Sequence, residues 1–218
     1  MPGNERKRQD KLVRKAAKRK QHVQSIKSSL VKPISDLSPS TQMRHSVDAP
    51  IYECLVPEEL FDKGIGSVVF SRELPNGYIA AVVFLLDVFC LGVKNTMVKV
   101  VPEDEYRTML EHISRHETLT SIDPACVRKL VEAAEAYAAD FGFRPHPDYL
   151  VGRMIFADVD ASDCSMSFKF GKEGKPFYMS GPYDSPEKSK RIIDTLTRRC
   201  GPDGFDFMVA LNDPGVEF

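Results

Sequence analysis

Hydrophobic positions begin to recur regularly only after residue 48. Residues 51–56 read as a short strand. Residues 67–74 and 78–86 flank Pro75, Asn76 and Gly77, and two apolar runs around so tight a turn predict a β-hairpin. Residues 79–86 are apolar at every position, the pattern of a central strand covered on both faces. Residues 88–101 continue the sheet after a bend near Gly92.

The period then lengthens to that of a helix. In residues 103–116, Tyr106, Met109, Leu110 and Ile113 make one apolar stripe. Asp123 and Pro124 form a cap-plus-proline start for a second helix, along which Val127, Leu130, Val131, Ala134, Tyr137 and Ala138 recur, with Gly142 as its stop. Beyond it, residues 154–159 and 165–170 read as strands, residues 172–175 as a turn and residues 177–179 as a further strand. Ser185 and Pro186 open a helix to about residue 199, and residues 205–211 close the pattern as a strand. The predicted fold is α+β: antiparallel β-hairpins with helices packed on the sheet. The body, residues 49–150 and 151–218, forms either two ββα halves or one domain.

The N-terminal segment follows different rules. Residues 5–31 have helix-forming composition without Gly or Pro, but Arg6, Lys7, Arg8, Lys11, Arg14, Lys15, Lys18, Arg19 and Lys20 crowd nine positive charges into fifteen positions. Such a segment is expected to be helical only when a partner neutralises it. Residues 1–32 carry eleven basic side chains against two acids, a net +9, whereas the other 186 residues carry 19 basic and 29 acidic ones, a net −10. The near-zero total therefore hides a basic arm (1–32) joined by a Ser/Pro/Thr-rich linker (33–48) to an acidic body. An arm of this kind suits a polyanion, most often nucleic acid. It has no aromatic residue for base stacking, so phosphate contact without sequence readout is expected.

The start is polar, with no apolar run of a secretory signal, and an Arg/Lys/Gln-rich start fits a transit peptide poorly. The apolar stretch 79–93 contains Asp87 and is too short to span a bilayer, which takes about 20 residues. The five cysteines, Cys54, Cys90, Cys126, Cys164 and Cys200, are scattered and odd in number. They are read as reduced core thiols of a cytoplasmic protein, with neither disulfides nor a zinc ribbon.

Candidate chemistry is sparse. Glu53, and Asp87 at the end of the all-apolar strand, could form a carboxylate pair for Mg²⁺, with Lys94 as the charge partner of Asp87. Strand-end carboxylates with a structural role are the simpler expectation. His112 and His116 stand at metal-ligand spacing on one helix, with His146 or Asp148 as conceivable third ligands; boundary histidines without a metal are again simpler. Asp158, Asp160 and Asp163 read as a solvated acidic turn. Phe143-Arg144-Pro145-His146-Pro147-Asp148-Tyr149, stiffened by two prolines, is either a binding loop or a rigid connector.

Four blocks, residues 50–54, 87–94, 143–149 and 174–178, resemble blocks of an uncharacterised bacterial protein family. The resemblance implies a bacterial cytosolic origin and carries over no activity and no catalytic residue. The expected function is that of a nucleic-acid-associated protein, RNA or ribosome before DNA, acting without a cofactor and away from membranes. A metal-dependent nuclease or hydrolase, and a protein-interaction module, are the alternatives.

Overall fold

The computed structural model describes residues 38–75 and 77–209; the basic arm, with its expected helix, lies outside the described residues. β1 (Ile51–Pro57), β2 (Ile65–Glu73), β3 (Tyr78–Asp87), β4 (Gly92–Pro102) and β5 (Leu119–Ser121) form one sheet in the order β4-β3-β2-β1-β5, with the single turn α2 (Leu60–Lys63) between β1 and β2. All of its neighbours are antiparallel. The β2–β3 hairpin is closed as its turn residues require. The Leu74 N–H donates to Tyr78 O at 2.8 Å, and the Gly77 N–H to Leu74 O at 3.0 Å with Gly77 at φ +76°.

Both faces of β3 are covered, as its continuous apolar run demands. Ile79, Ala81 and Val83 pack with Leu55, Val69 and Tyr106, beneath the stripe of α3 (Glu103–Ser114). On the opposite face Phe84 stacks on Phe156, with ring centroids 5.5 Å apart, and meets Tyr149 edge-on at 6.2 Å. That second layer holds α1 (Pro39–Ser46), α4 (Pro124–Asp140) and α5 (Tyr149–Gly152). The Asp123 carboxylate caps α4 by accepting the Ala125 N–H at 2.8 Å. Gly92, at φ +65°, starts β4 so close to α4 that a Cβ there would stand 2.5 Å from the Ala134 carbonyl oxygen. From Pro39 onward the described residues pack as one compact unit.

Three departures from the pattern-based expectation have physical causes. Part of the expected linker is helical: α1 places a fully buried Met43 against the body, and the Ser46 hydroxyl donates to Met43 O at 2.8 Å. A single buried hydrophobic residue, beside the buried but polar Gln42 and Ser46, leaves too little apolar periodicity to read. Second, residues 154–159 and 165–170 are not strands; Arg153–Phe156 is a 3₁₀ turn and 165–170 is irregular. Ile155 and Phe156 are apolar because they fill the core from a turn. Arg72, only 3% exposed, holds that turn by donating to the carbonyls of Ile155 (2.7 Å) and Phe156 (3.2 Å) and to Ala49 O (2.6 Å). Third, the last third builds no second ββα half. β6 (Phe177–Met179), α6 (Pro186–Cys200) and β7 (Asp206–Met208) form a parallel β-α-β unit.

The cysteine expectation is corrected as well. Cys126, in the first turn of α4, and Cys164 form a disulfide, their Cα atoms 4.9 Å apart; Cys54, Cys90 and Cys200 are free. The two partners lie 38 residues apart and only the fold brings them within reach, so spacing carried no signal. Closing a loop of this length restricts the unfolded chain by about 2–4 kcal/mol. Reduction, or the paired Cys126→Ala and Cys164→Ala changes, is therefore expected to lower unfolding free energy by about that amount in a urea titration.

Candidate functional site

The most site-like region is assembled from the edge strand β4, the proline-stiffened loop after α4, and α6. After β6 the chain makes a tight turn in which the Asp184 N–H donates to Gly181 O (3.0 Å) and the Gly181 N–H returns to Asp184 Oδ2 (2.8 Å). Ser185 then caps α6, its hydroxyl accepting the Lys188 N–H at 3.2 Å, with Pro186 in the first turn. This start puts Asp184 one turn before Lys188, the spacing at which helical side chains meet.

The Asp184 carboxylate, 3% exposed, is the hub of the region. Lys188 Nζ lies 2.6 Å from Oδ1 and Lys94 Nζ, from β4, lies 3.6 Å from Oδ2. The Tyr178 hydroxyl is 3.1 Å from Oδ2 and 2.9 Å from Ser189 Oγ. Burial opposes ionisation of Asp184, but the Lys188 contact, the Gly181 N–H and the charge of Lys94 outweigh it and hold the carboxyl down at about 2.

The loop is seated by the His146 N–H, which donates to Val93 O at 3.0 Å on the edge of β4, and by the Phe143 N–H on Ala138 O at 3.0 Å. Between loop, strand and α6 lies a cavity of about 420 Å³. Lys94, Arg144, Lys188 and Arg191 line it together with His146 and Thr195, and Leu91, Val93, Phe143 and Ile192 supply apolar wall. Acidic side chains take no part in the lining. Four permanent cations line the space, with the Asp184 carboxylate buried behind them and the exposed carboxylates of Asp148, near His146, and Glu187, near Arg191, outside the lining. A half-enclosed space with that imbalance attracts anions.

The sequence candidates are distributed unevenly around this pocket. Lys94 and His146 line it, and Asp148 lies at its margin, 3.9 Å from His146 Nδ1. Lys94 is not ion-paired to Asp87 as expected but to Asp184. Asp87 is instead held by local N–H donors, Phe89 at 3.2 Å and Cys90 at 2.8 Å, both to Oδ1. Glu53 is far from it. The ladder aligns Glu53 with Ser71 and Ser71 with Ala81, so Asp87 lies about 20 Å further along the sheet at about 3.3 Å per residue. Glu53 pairs with Arg107 at 3.2 Å. A shared metal between Glu53 and Asp87 is thus not formed.

His112, on the exposed face of α3, and His116, in the turn just past its end rather than on the same helix, meet edge-on with ring centroids 6.2 Å apart. Among the described residues no group of three or more His, Cys, Asp or Glu could hold a metal. Asp160 caps the turn Ala161–Asp163 through the Ser162 N–H at 2.8 Å, and Asp158 reaches Arg72 at 3.4 Å. The nine arm residues from Arg6 to Lys20 lie outside the described residues. Arg144 was visible only as part of an odd loop. Asp184, Lys188 and Arg191 were missed, because they look like an ordinary charged helix start until the fold turns them toward Lys94.

Comparison of the chain with protein-family profiles, with curated proteins and with solved structures gives no match. Among the described residues no helix is long and apolar enough to cross a membrane.

The carboxyls of Asp87 and Asp184 are shifted in opposite directions from the usual range. Burial pushes the Asp87 carboxyl up to about 6, against the pull of the Cys90 N–H and of Lys94. A raised carboxyl favours its neutral form in the fold, so that contribution to stability is present below about pH 4 and lost as pH rises through 6. The loss is about 3 kcal/mol. Asp87→Asn keeps the acceptor and removes the titration. Between pH 4 and pH 7 its stability is expected to gain on the wild type by about that amount in urea titrations. Asp184 contributes stability that disappears only as pH falls through about 2, outside that window.

Proposed function

We propose that this chain is a nucleic-acid-associated binding protein, with RNA or the ribosome favoured as partner and with no chemistry of its own. The observation that carries the proposal is the charge division: a net +9 over residues 1–32 on a body of net −10. Fixed cations released from one another's repulsion by phosphate, with counterions set free, give strong but sequence-indifferent binding. The pocket of Lys94, Arg144, Lys188 and Arg191 supports it, since it gathers four cations around a concave place on an otherwise acidic body. A bacterial cytoplasmic setting belongs to the same proposal. In that compartment thiols are kept reduced, so alkylation of thiols at the moment of lysis tests whether the Cys126–Cys164 bond forms there.

The test replaces the nine arm cations by Gln in the full-length chain and measures RNA affinity across a salt series. With about half of the nine engaged, and roughly 0.7–0.9 contributed by each neutralised phosphate, the wild-type log–log slope is expected near −4. The substituted chain is expected to lose most of its affinity and most of that slope. Equal RNA affinity for the two proteins refutes the proposal.

A further inference from the structure

We propose that the pocket beside Asp184 is a nucleotide site: its four cations take the phosphate and its apolar wall takes the ring. The choice of a nucleotide over other phosphate esters rests on the nucleic-acid function proposed above; the phosphate preference rests on the pocket alone.

The cavity of about 420 Å³ is within the range of small-molecule sites. A bare tetrahedral anion would use the cations and leave Leu91, Val93, Phe143 and Ile192 unfilled. An apolar ligand would leave the cations unmatched. A phosphate carried on a ring with flat apolar faces satisfies both, with Thr195 and His146 available to its polar edge.

The donors are available. Among the described residues Arg144 makes no hydrogen bond or ion pair. Arg191 uses only its Nε, on Glu187 O at 3.4 Å, so both terminal nitrogens of its fork remain for an anion. Lys94 and Lys188 each contact Asp184, but an ammonium has three donors. Asp184 is not a ligand here. Its oxygens already serve Lys188, Lys94, Tyr178 and Gly181, and it acts as a positioning residue that holds an ammonium from β4 and one from α6 at the same wall.

The phosphate can belong to a free nucleotide or to the 5′ end of an RNA, and calorimetric titration of the full-length chain separates the two. The probes are adenosine 5′-monophosphate, adenosine, inorganic phosphate, and a short RNA with either a 5′-phosphate or a 5′-hydroxyl. A free-nucleotide site is expected to bind the monophosphate at one equivalent, and adenosine and inorganic phosphate each about tenfold or more weakly. A site for RNA ends is expected to bind the monophosphate poorly. In the chain whose nine arm cations are Gln, it would still prefer 5′-phosphorylated over 5′-hydroxyl RNA.

In either case Arg144→Ala with Arg191→Ala, both on exposed side chains, is expected to weaken binding about tenfold or more without lowering the melting temperature. Three results overturn the proposal: no binding of either phosphorylated probe, binding indifferent to the double arginine change, or inorganic phosphate binding as tightly as the better bound of the two phosphorylated probes. Because the readouts on the arm-neutralised chain and on the arginine variant are separate, loss of RNA affinity with the arm leaves the pocket result standing, and the reverse.

Discussion

The structure is organised by one strand that cannot face water on either side. β3 is buried along nearly its whole length, and neither of its faces offers a polar row to solvent. It must therefore be central, paired on both edges and roofed twice. Pairing places β2 and β4 beside it, and the roofs are α3 on one face and α1, α4 and α5 on the other. The chain leaves β3 through a turn that returns at Gly92 directly beneath α4, where any side chain would strike the Ala134 carbonyl. That crowding fixes where β4 begins, and with it the position of Lys94 near the sheet's edge.

An edge strand has unpaired backbone groups, and here the loop of residues 143–149 answers one of them through the His146 N–H on Val93 O. The same bond sets Arg144 and His146 over the start of β4. α6 supplies the opposite wall, anchored through a small core of Cys90, Leu91, Tyr178, Ile192, Leu196 and Phe205. The pocket is thus the seam where the edge of the main sheet meets the terminal β-α-β unit, and Asp184 is the ionic tie across that seam.

Much of the fold was legible in the sequence, for identifiable reasons. The β2–β3 hairpin announced itself through its turn residues, α3 through the Tyr106–Ile113 stripe, and α4 and α6 through Asp123-Pro124 and Ser185-Pro186, whose caps form as expected. Features fixed by long-range contact were not legible. Residues 154–156 are apolar for the sake of a turn gripped by Arg72, and Cys126 meets Cys164 only in three dimensions. The candidate site divides the same way. Lys94 and the loop at 143–149 stood out locally, whereas the pairing of Lys94 with Asp184 rather than Asp87 depends on how the last third docks.

α6 has a consequence of its own. It carries two of the four pocket cations, yet it is bracketed by strands of three residues each and joins the body through one small core shared with Cys90 and Leu91. Units of that kind open before the rest of a protein does. An anion resting on Arg191 and Lys188 from one side and Arg144 and Lys94 from the other would act as a clasp, joining the terminal β-α-β unit to the main sheet. Occupancy of the pocket would then be felt as slower amide exchange throughout β6, α6 and β7, so that the last third of the molecule reports on the ligand by how tightly it stays closed.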